Sequence, residues 1–158
     1  EAARDSDRPM VVDADGLNWL AQVPTRRDDW VLTPHPGEAA RLLQTDVAHV
    51  SRDRFGAVEA IARRYGGVAV LKGAGTLISD GRRIRVCTEG NPGMASGGMG
   101  DALTGVIAGL RAQGFGALAA ASLGVQVHAR AADRAAIDGE RGLLADDLLN
   151  ALRGVVNP

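Results

Sequence analysis

A single cysteine, Cys87, stands in a chain of 158 residues, so no intrachain disulfide can form, and no Cys/His cluster has zinc-ligand spacing. Charge of one sign is also missing. The 18 Lys and Arg residues face 19 Asp and Glu, the formal net charge is -1, and both signs are interspersed along the chain. That balance leaves no electrostatic footprint for nucleic acid or for an anionic membrane surface, so any bound anion must be held by local geometry. No apolar run approaches the ~20 residues that span a bilayer. Residues 1–9 are charged where a secretory signal needs an apolar stretch, and a cytoplasmic location is expected. The scarcest charged residue is lysine: Lys72 is the only one, every other basic position being arginine. A genome rich in Arg codons accounts for the bias but not for this exception. Because Lys and Arg differ in shape and hydration, Lys72 is a candidate site residue.

With 46% hydrophobic and 23% charged residues, the chain has the balance of one globular domain. Residues 9–13 read as a short buried strand, 17–21 as a brief helical turn opened by Asp15-Gly16, and 30–33 as a second strand. That strand runs into Pro34-His35-Pro36, whose prolines hold the loop extended. Helices are expected over 37–43 and over 52–65, the second with an apolar stripe of Phe55, Val58, Ala62 and Tyr65 that stops at Gly66-Gly67. Residues 68–71 form a continuous apolar strand of the kind buried on both faces of a parallel sheet. The stretches 76–79 and 83–88, joined at Asp80-Gly81, read as a β-hairpin. After an irregular stretch over 89–99, helices are expected over 101–112, 118–137 and 146–153. The alternation gives an α/β fold with a mostly parallel central sheet. Residues 1–4 look like the tail of a helix, so the domain is expected to be truncated on its N-terminal side.

Four segments set polar or glycine residues after a strand or before a helix, where open parallel sheets bind ligands. The richest is 91–101, in which Gly97, Gly98 and Gly100 lead to Asp101 and an apolar helix. Glycines there let backbone N–H groups crowd an anion, and the helix N-terminus adds partial positive charge. Asp101 at the mouth of such a hole is placed to take a proton from an attacking hydroxyl, or it simply caps the helix. This is neither a P-loop nor a dinucleotide fingerprint. In the second segment Lys72, Gly73, Ala74, Gly75 and Thr76 open from a strand end, either to meet phosphate and nucleotide or as a plain turn with a solvated lysine. His35, pinned between prolines, is ligand-facing or incidental. Asp13, Asp15 and Asn18 can orient substrate or a magnesium ion, or cap the turn that follows.

Together, in this order, Val-Val-Asp-Ala-Asp-Gly-Leu-Asn, Leu-Thr-Pro-His-Pro-Gly-Glu, Leu-Lys-Gly-Ala-Gly-Thr and Asn-Pro-Gly-Met-Ala-Ser-Gly-Gly-Met-Gly-Asp resemble the NAD(P)H-hydrate dehydratases. The likeness runs over about 9–152. The resemblance implies a ribokinase-like three-layer fold and a lyase that returns the hydrated, damaged form of NADH or NADPH to the working cofactor, using ADP or ATP with Mg2+. By motif position it implies that Asp101 contacts the hydrate's hydroxyl and acts as base. It also implies that His35, Asp15 and Asn18 bind the same substrate, and that Lys72 to Thr76 with Gly97, Gly98 and Gly100 bind the nucleotide. The family includes tetramers, so a homo-oligomer is an expectation. Members carry further strands ahead of the point where this sequence starts, which puts hydrate binding in question. Two rival readings remain: a small-molecule kinase of the hydroxyethylthiazole type, whose product is a stable phosphorylated alcohol, and an inactive fragment that binds nucleotide without turnover.

Overall fold

A computed structural model describes residues 8–157, and the helix tail expected over 1–4 lies outside them. Strands β1 (Met10–Val12), β2 (Trp30–Leu32) and β3 (Val68–Leu71) pair in parallel; β4 (Leu77–Ser79) and β5 (Ile84–Val86) add an antiparallel hairpin, giving the order β1-β2-β3-β4-β5. Between the parallel strands lie α1 (Asp15–Gln22), α2 (Pro36–Leu43), α3 (Val47–Arg52) and α4 (Arg54–Tyr65). A chain that steps repeatedly in one direction through crossovers of one hand puts all these helices on one face. The opposite face is covered by α5 (Met99–Ala112) and α6 (Ala117–Ala135), against which α7 (Ala145–Val156) packs.

The period of two in a strand divides the apolar runs between these layers. Leu32, Ala69 and Leu71 join the helices α1 to α4 in one core, whereas Val31, Val68 and Val70 meet Leu103, Ile107 and Val125 in the other. Each fully buried Leu or Val of this kind contributes ~1.5–3 kcal/mol relative to exposure. A third cluster joins Met99 and Ala102 of α5 to Ala131 and Ala132 of α6 and Leu148 of α7. No helix among the described residues is long and apolar enough to cross a membrane.

Three expectations change. The helix expected over 52–65 is α4, whose start Asp53 caps by accepting from the Gly56 N–H at 2.8 Å, but a further helix that was not expected, α3, precedes it with Asp46 as its cap. Phe55 is 54% exposed, so the buried stripe of α4 runs instead through Ala57, Val58, Ile61, Ala62 and Tyr65. The brief turn expected over 17–21 is an eight-residue helix.

Candidate active site

The three parallel strands end side by side, and short hydrogen bonds hold their exits in line. The Thr33 N–H and hydroxyl both donate to the Val12 carbonyl, at 3.1 and 3.2 Å, and the Lys72 N–H donates to the Pro34 carbonyl at 2.9 Å. Asp13, His35 and Lys72 are therefore carried to neighbouring positions at one end of the sheet, where α5 also begins. An added Cβ at Gly100, in the first turn of α5, would lie 3.3 Å from the Lys72 Nζ and 3.8 Å from the Asp13 Oδ2. A larger residue at this point would press on the Lys72 ammonium, so glycine lets the helix start and the strand ends meet without shifting it.

Lys72 is engaged within the fold. Its Nζ donates to the Asp13 Oδ1 at 2.8 Å and lies 3.9 Å from the Glu38 Oε2; the three side chains are 19%, 10% and 6% exposed. The Thr104 hydroxyl donates to the other Asp13 oxygen at 2.8 Å. Burial alone would raise the Asp13 carboxyl, but the hydrogen bonds from Lys72 and Thr104 and the Lys72 charge outweigh it and hold the group below the ordinary aspartate range. An ammonium has three donors, so the Asp13 bond orients Lys72 and leaves donors for an anion. Ala14, next to Asp13, has φ 48° and ψ -119°, a conformation costing a non-glycine residue ~1–3 kcal/mol and most often kept at functional sites.

His35 sits at the N-cap of α2. Its Nδ1 accepts from the Gly37 N–H at 2.9 Å, while its own N–H donates to the Glu38 Oε2 at 2.8 Å. With Nδ1 an acceptor, the ring proton of a neutral His35 belongs on Nε2, which lies 3.5 Å from the Glu38 Oε1. His35 thus presents a donor on a half-exposed ring.

Asp101 is the third residue of α5. The cap position is Gly98, at φ 84°, with no side-chain cap, so the helix-cap reading of Asp101 does not hold. The Asp101 carboxylate is exposed and makes no hydrogen bond within the described residues. It stands free in the first turn, among N–H groups that no carbonyl fills.

Beside these residues a cleft of about 690 Å³ runs between the strand ends, the hairpin exit and α6. His35, Lys72 to Thr76 and Gly100 line it; Gly97, Gly98 and Asp101 are not in its lining, although their neighbours Ser96, Met99 and Gly100 are. Asp15 and Asn18 stay outside it on α1, joined by a long 3.4 Å contact, and the buried Asn18 Oδ1 has no partner. Its far wall is apolar, with Leu103, Val125 and Ala129 around a Cys87 whose thiol is pushed up by burial, chiefly, and so stays protonated at neutral pH.

Three participants were not singled out from sequence: Asp13 as the partner of Lys72, Arg54 and His128. Arg54, from the start of α4, donates to the carbonyls of Ala74 and Leu71 and so clamps the glycine loop that follows Lys72. Arg54→Met should loosen that loop, seen as faster amide hydrogen exchange over residues 73–76, with a small change in melting temperature. His128 is buried against α5, its Nε2 2.9 Å from the Met99 carbonyl. Burial pushes its pKa down and the Met99 bond offsets only part of that. The unfolded chain, at ~6.5, then takes up a proton that the folded chain refuses, so stability present above pH ~6.5 is lost as pH falls toward the folded value. Urea midpoints of wild type and His128→Gln between pH 7 and 5 should show the steeper decline in wild type.

Residues 1–153 match the family model described as NAD(P)H-hydrate dehydratase. The chain is 56% identical over 156 residues to the bifunctional NAD(P)H-hydrate repair enzyme Nnr of Coxiella burnetii, covering 98% of this chain and 32% of that protein. It is 42% identical over 161 residues to the ADP-dependent (S)-NAD(P)H-hydrate dehydratase of Neisseria meningitidis, covering 96% of this chain and 54% of the other. Among solved structures, the ADP/ATP-dependent NAD(P)H-hydrate dehydratase of Bacillus subtilis, co-crystallised with ATP and Mg2+, superposes with a TM-score of 0.84 at 29% identity, over 96% of this chain and 55% of that one. The chain therefore spans about a third of the first of these relatives and about half of the others.

Proposed function

The chain belongs to the NAD(P)H-hydrate dehydratase family, and from that premise we propose that it dehydrates NADH or NADPH hydrate at the expense of ADP or ATP, releasing phosphate and AMP or ADP. The observation that carries the reading is the free Asp101 carboxylate in the first turn of α5, beside the cleft that Lys72 to Thr76 line. A carboxylate with no structural bond, set among unfilled helix N–H groups, suits a base next to a bound phosphoryl group.

In this reading the nucleotide's phosphates lie along Lys72, Gly73, Ala74, Gly75 and Thr76, with Gly97, Gly98 and Gly100 offering N–H groups to the terminal one. The substrate's ring hydroxyl is oriented by His35, through its Nε2–H, with Asp15 and Asn18 on the substrate side. Asp101 removes the hydroxyl proton as that oxygen bonds to phosphorus and the bond to the nucleotide breaks. The ring carbon–oxygen bond of the new phosphate ester then breaks, orthophosphate leaves with the bonding electrons, and the neighbouring ring carbon gives its proton to solvent as the ring double bond re-forms. Phosphate is a far better leaving group than hydroxide, and the N–H groups of α5 stabilise the charge that develops.

Magnesium fits as an ion carried by the nucleotide: no group of three or more His, Cys, Asp or Glu side chains converges among the described residues. Mg2+ commonly binds through phosphates with one or two carboxylates, and its contribution here would be neutralisation of phosphate charge.

The hydroxyethylthiazole-kinase reading would use the same anion hole and base but has less support, since the family model and the relatives above carry the dehydratase name. Phosphorus NMR of this chain with NADH hydrate, Mg2+ and ADP or ATP separates the readings. Orthophosphate accumulating with AMP or ADP is the expected result. A lasting phosphate monoester would favour the kinase, and nucleotide binding without turnover would favour the inactive fragment.

A further inference from the structure

The mechanism above leaves two buried titratable residues on the cleft wall unused, the protonated thiol of Cys87 and His128. His128 of α6 is 5% exposed, lines the cleft, and contacts the Met99 carbonyl through Nε2 at 2.9 Å. A carbonyl can only accept, so Nε2 carries the ring proton, and the neutral ring keeps Nδ1 as an acceptor. Among the described residues, the buried side-chain polar atoms without a partner are the Asn18 Oδ1 and the Arg111 Nε. The His128 Nδ1 is not one of them and makes no bond to the protein, and the residue lines the cleft.

The surroundings say what reaches that atom. Lys72 to Thr76 and Gly100 form the phosphate end of the cleft; the lining that His128 shares includes the apolar Leu103, Val125 and Ala129 with Cys87, and also the polar Thr88, Glu89, Asn91 and Ser96. The apolar walls suit the faces of a planar heteroaromatic ring and offer few side-chain groups to tell one ring from another. An acceptor set beside those apolar faces does discriminate: it meets the amino group of a 6-aminopurine as a partner and the oxygen of a 6-oxopurine as a second acceptor. Resting on the reading that this cleft takes a purine nucleotide, we propose that His128 reads the base, its Nδ1 accepting a hydrogen bond from the exocyclic amino group of adenine. The bond to Met99 then serves to fix the tautomer that makes Nδ1 an acceptor, and it ties the base reader to the first turn of α5, where the phosphates would sit.

Two substitutions divide the ring's two nitrogens. Glutamine reproduces the Nε2 donor and keeps the Met99 tether; asparagine reproduces the Nδ1 acceptor and loses the tether. Calorimetric titration of wild type with Mg2+ and either ADP or inosine diphosphate should show ADP ~10-fold tighter. His128→Gln should lose that preference, and His128→Asn should retain it while binding both nucleotides more weakly. A nitrogen-15 NMR titration of unsubstituted protein gives a second readout: the His128 Nδ1 resonance should move with ADP and not with inosine diphosphate. Equal affinity of wild type for the two nucleotides, a preference that survives in His128→Gln, or an Nδ1 resonance indifferent to ADP would overturn the proposal. Folded wild type that binds neither nucleotide would overturn the nucleotide reading itself, and this inference with it.

Discussion

Asp101→Asn should bind ADP and ATP as wild type does and turn over at least ~100-fold more slowly, the loss expected when a general base can no longer accept a proton. Asparagine has the same shape, and the carboxylate it replaces bonds to nothing within the described residues and caps no helix. The helix start, the glycine loop and the cleft should therefore stay as they are. The net charge beside the phosphates becomes one unit less negative, so nucleotide affinity should hold or rise slightly. Turnover near the wild-type rate would remove Asp101 from the role of base. Single-turnover kinetics together with calorimetry separate the chemical step from binding.

The second large effect is on stability. Asp13→Ala should lower unfolding free energy by about 3 kcal/mol, at the lower edge of the loss seen when one partner of a buried pair is removed. Lys72 would keep only the 3.9 Å contact to Glu38, and the Thr104 hydroxyl would lose its acceptor. For a domain of this size that corresponds to a fall of ~10 °C in melting temperature. The double variant Asp13→Ala, Lys72→Met should recover much of the loss, because an apolar pair no longer leaves a desolvated charge. A single variant as stable as wild type would mean that the ion pair contributes nothing net, and would leave orientation of Lys72 as the reason for Asp13.

How much of this was legible in the sequence follows from the range of the interactions. β3 could be read from Val68-Ala69-Val70-Leu71, because a strand buried on both faces needs an unbroken apolar run, and the hairpin from Asp80-Gly81. α3 could not: with Val50 as its one buried residue it has no apolar period to detect, and its signal is Asp46 accepting from the His49 N–H at 2.7 Å. Phe55 misled because it keeps the spacing of the stripe, but it lies in the first turn of α4, next to the cap at Asp53, and stays 54% exposed. The start of α5 fell inside a glycine-rich run where local signals favour a loop; tertiary contacts of Met99 with α6 and α7 draw the helix back two residues. At the site, strand ends and glycines mark positions through local geometry, so Lys72, His35 and the 97–101 loop stood out. The partners did not. Asp13 meets Lys72 across 59 residues, Arg54 reaches a loop 20 residues away, and His128 meets Met99 across 29, separations at which neither periodicity nor spacing carries information.

The central claim is that this chain couples a nucleotide's phosphoryl group to repair of a hydrated nicotinamide. The most direct test is absorbance at the reduced-nicotinamide band after mixing the chain with NADH hydrate, Mg2+ and either ADP or ATP. Absorbance should recover only when nucleotide is present, and at least ~100-fold more slowly with Asp101→Asn. No recovery by a folded chain that binds nucleotide, or recovery indifferent to nucleotide, would contradict the account.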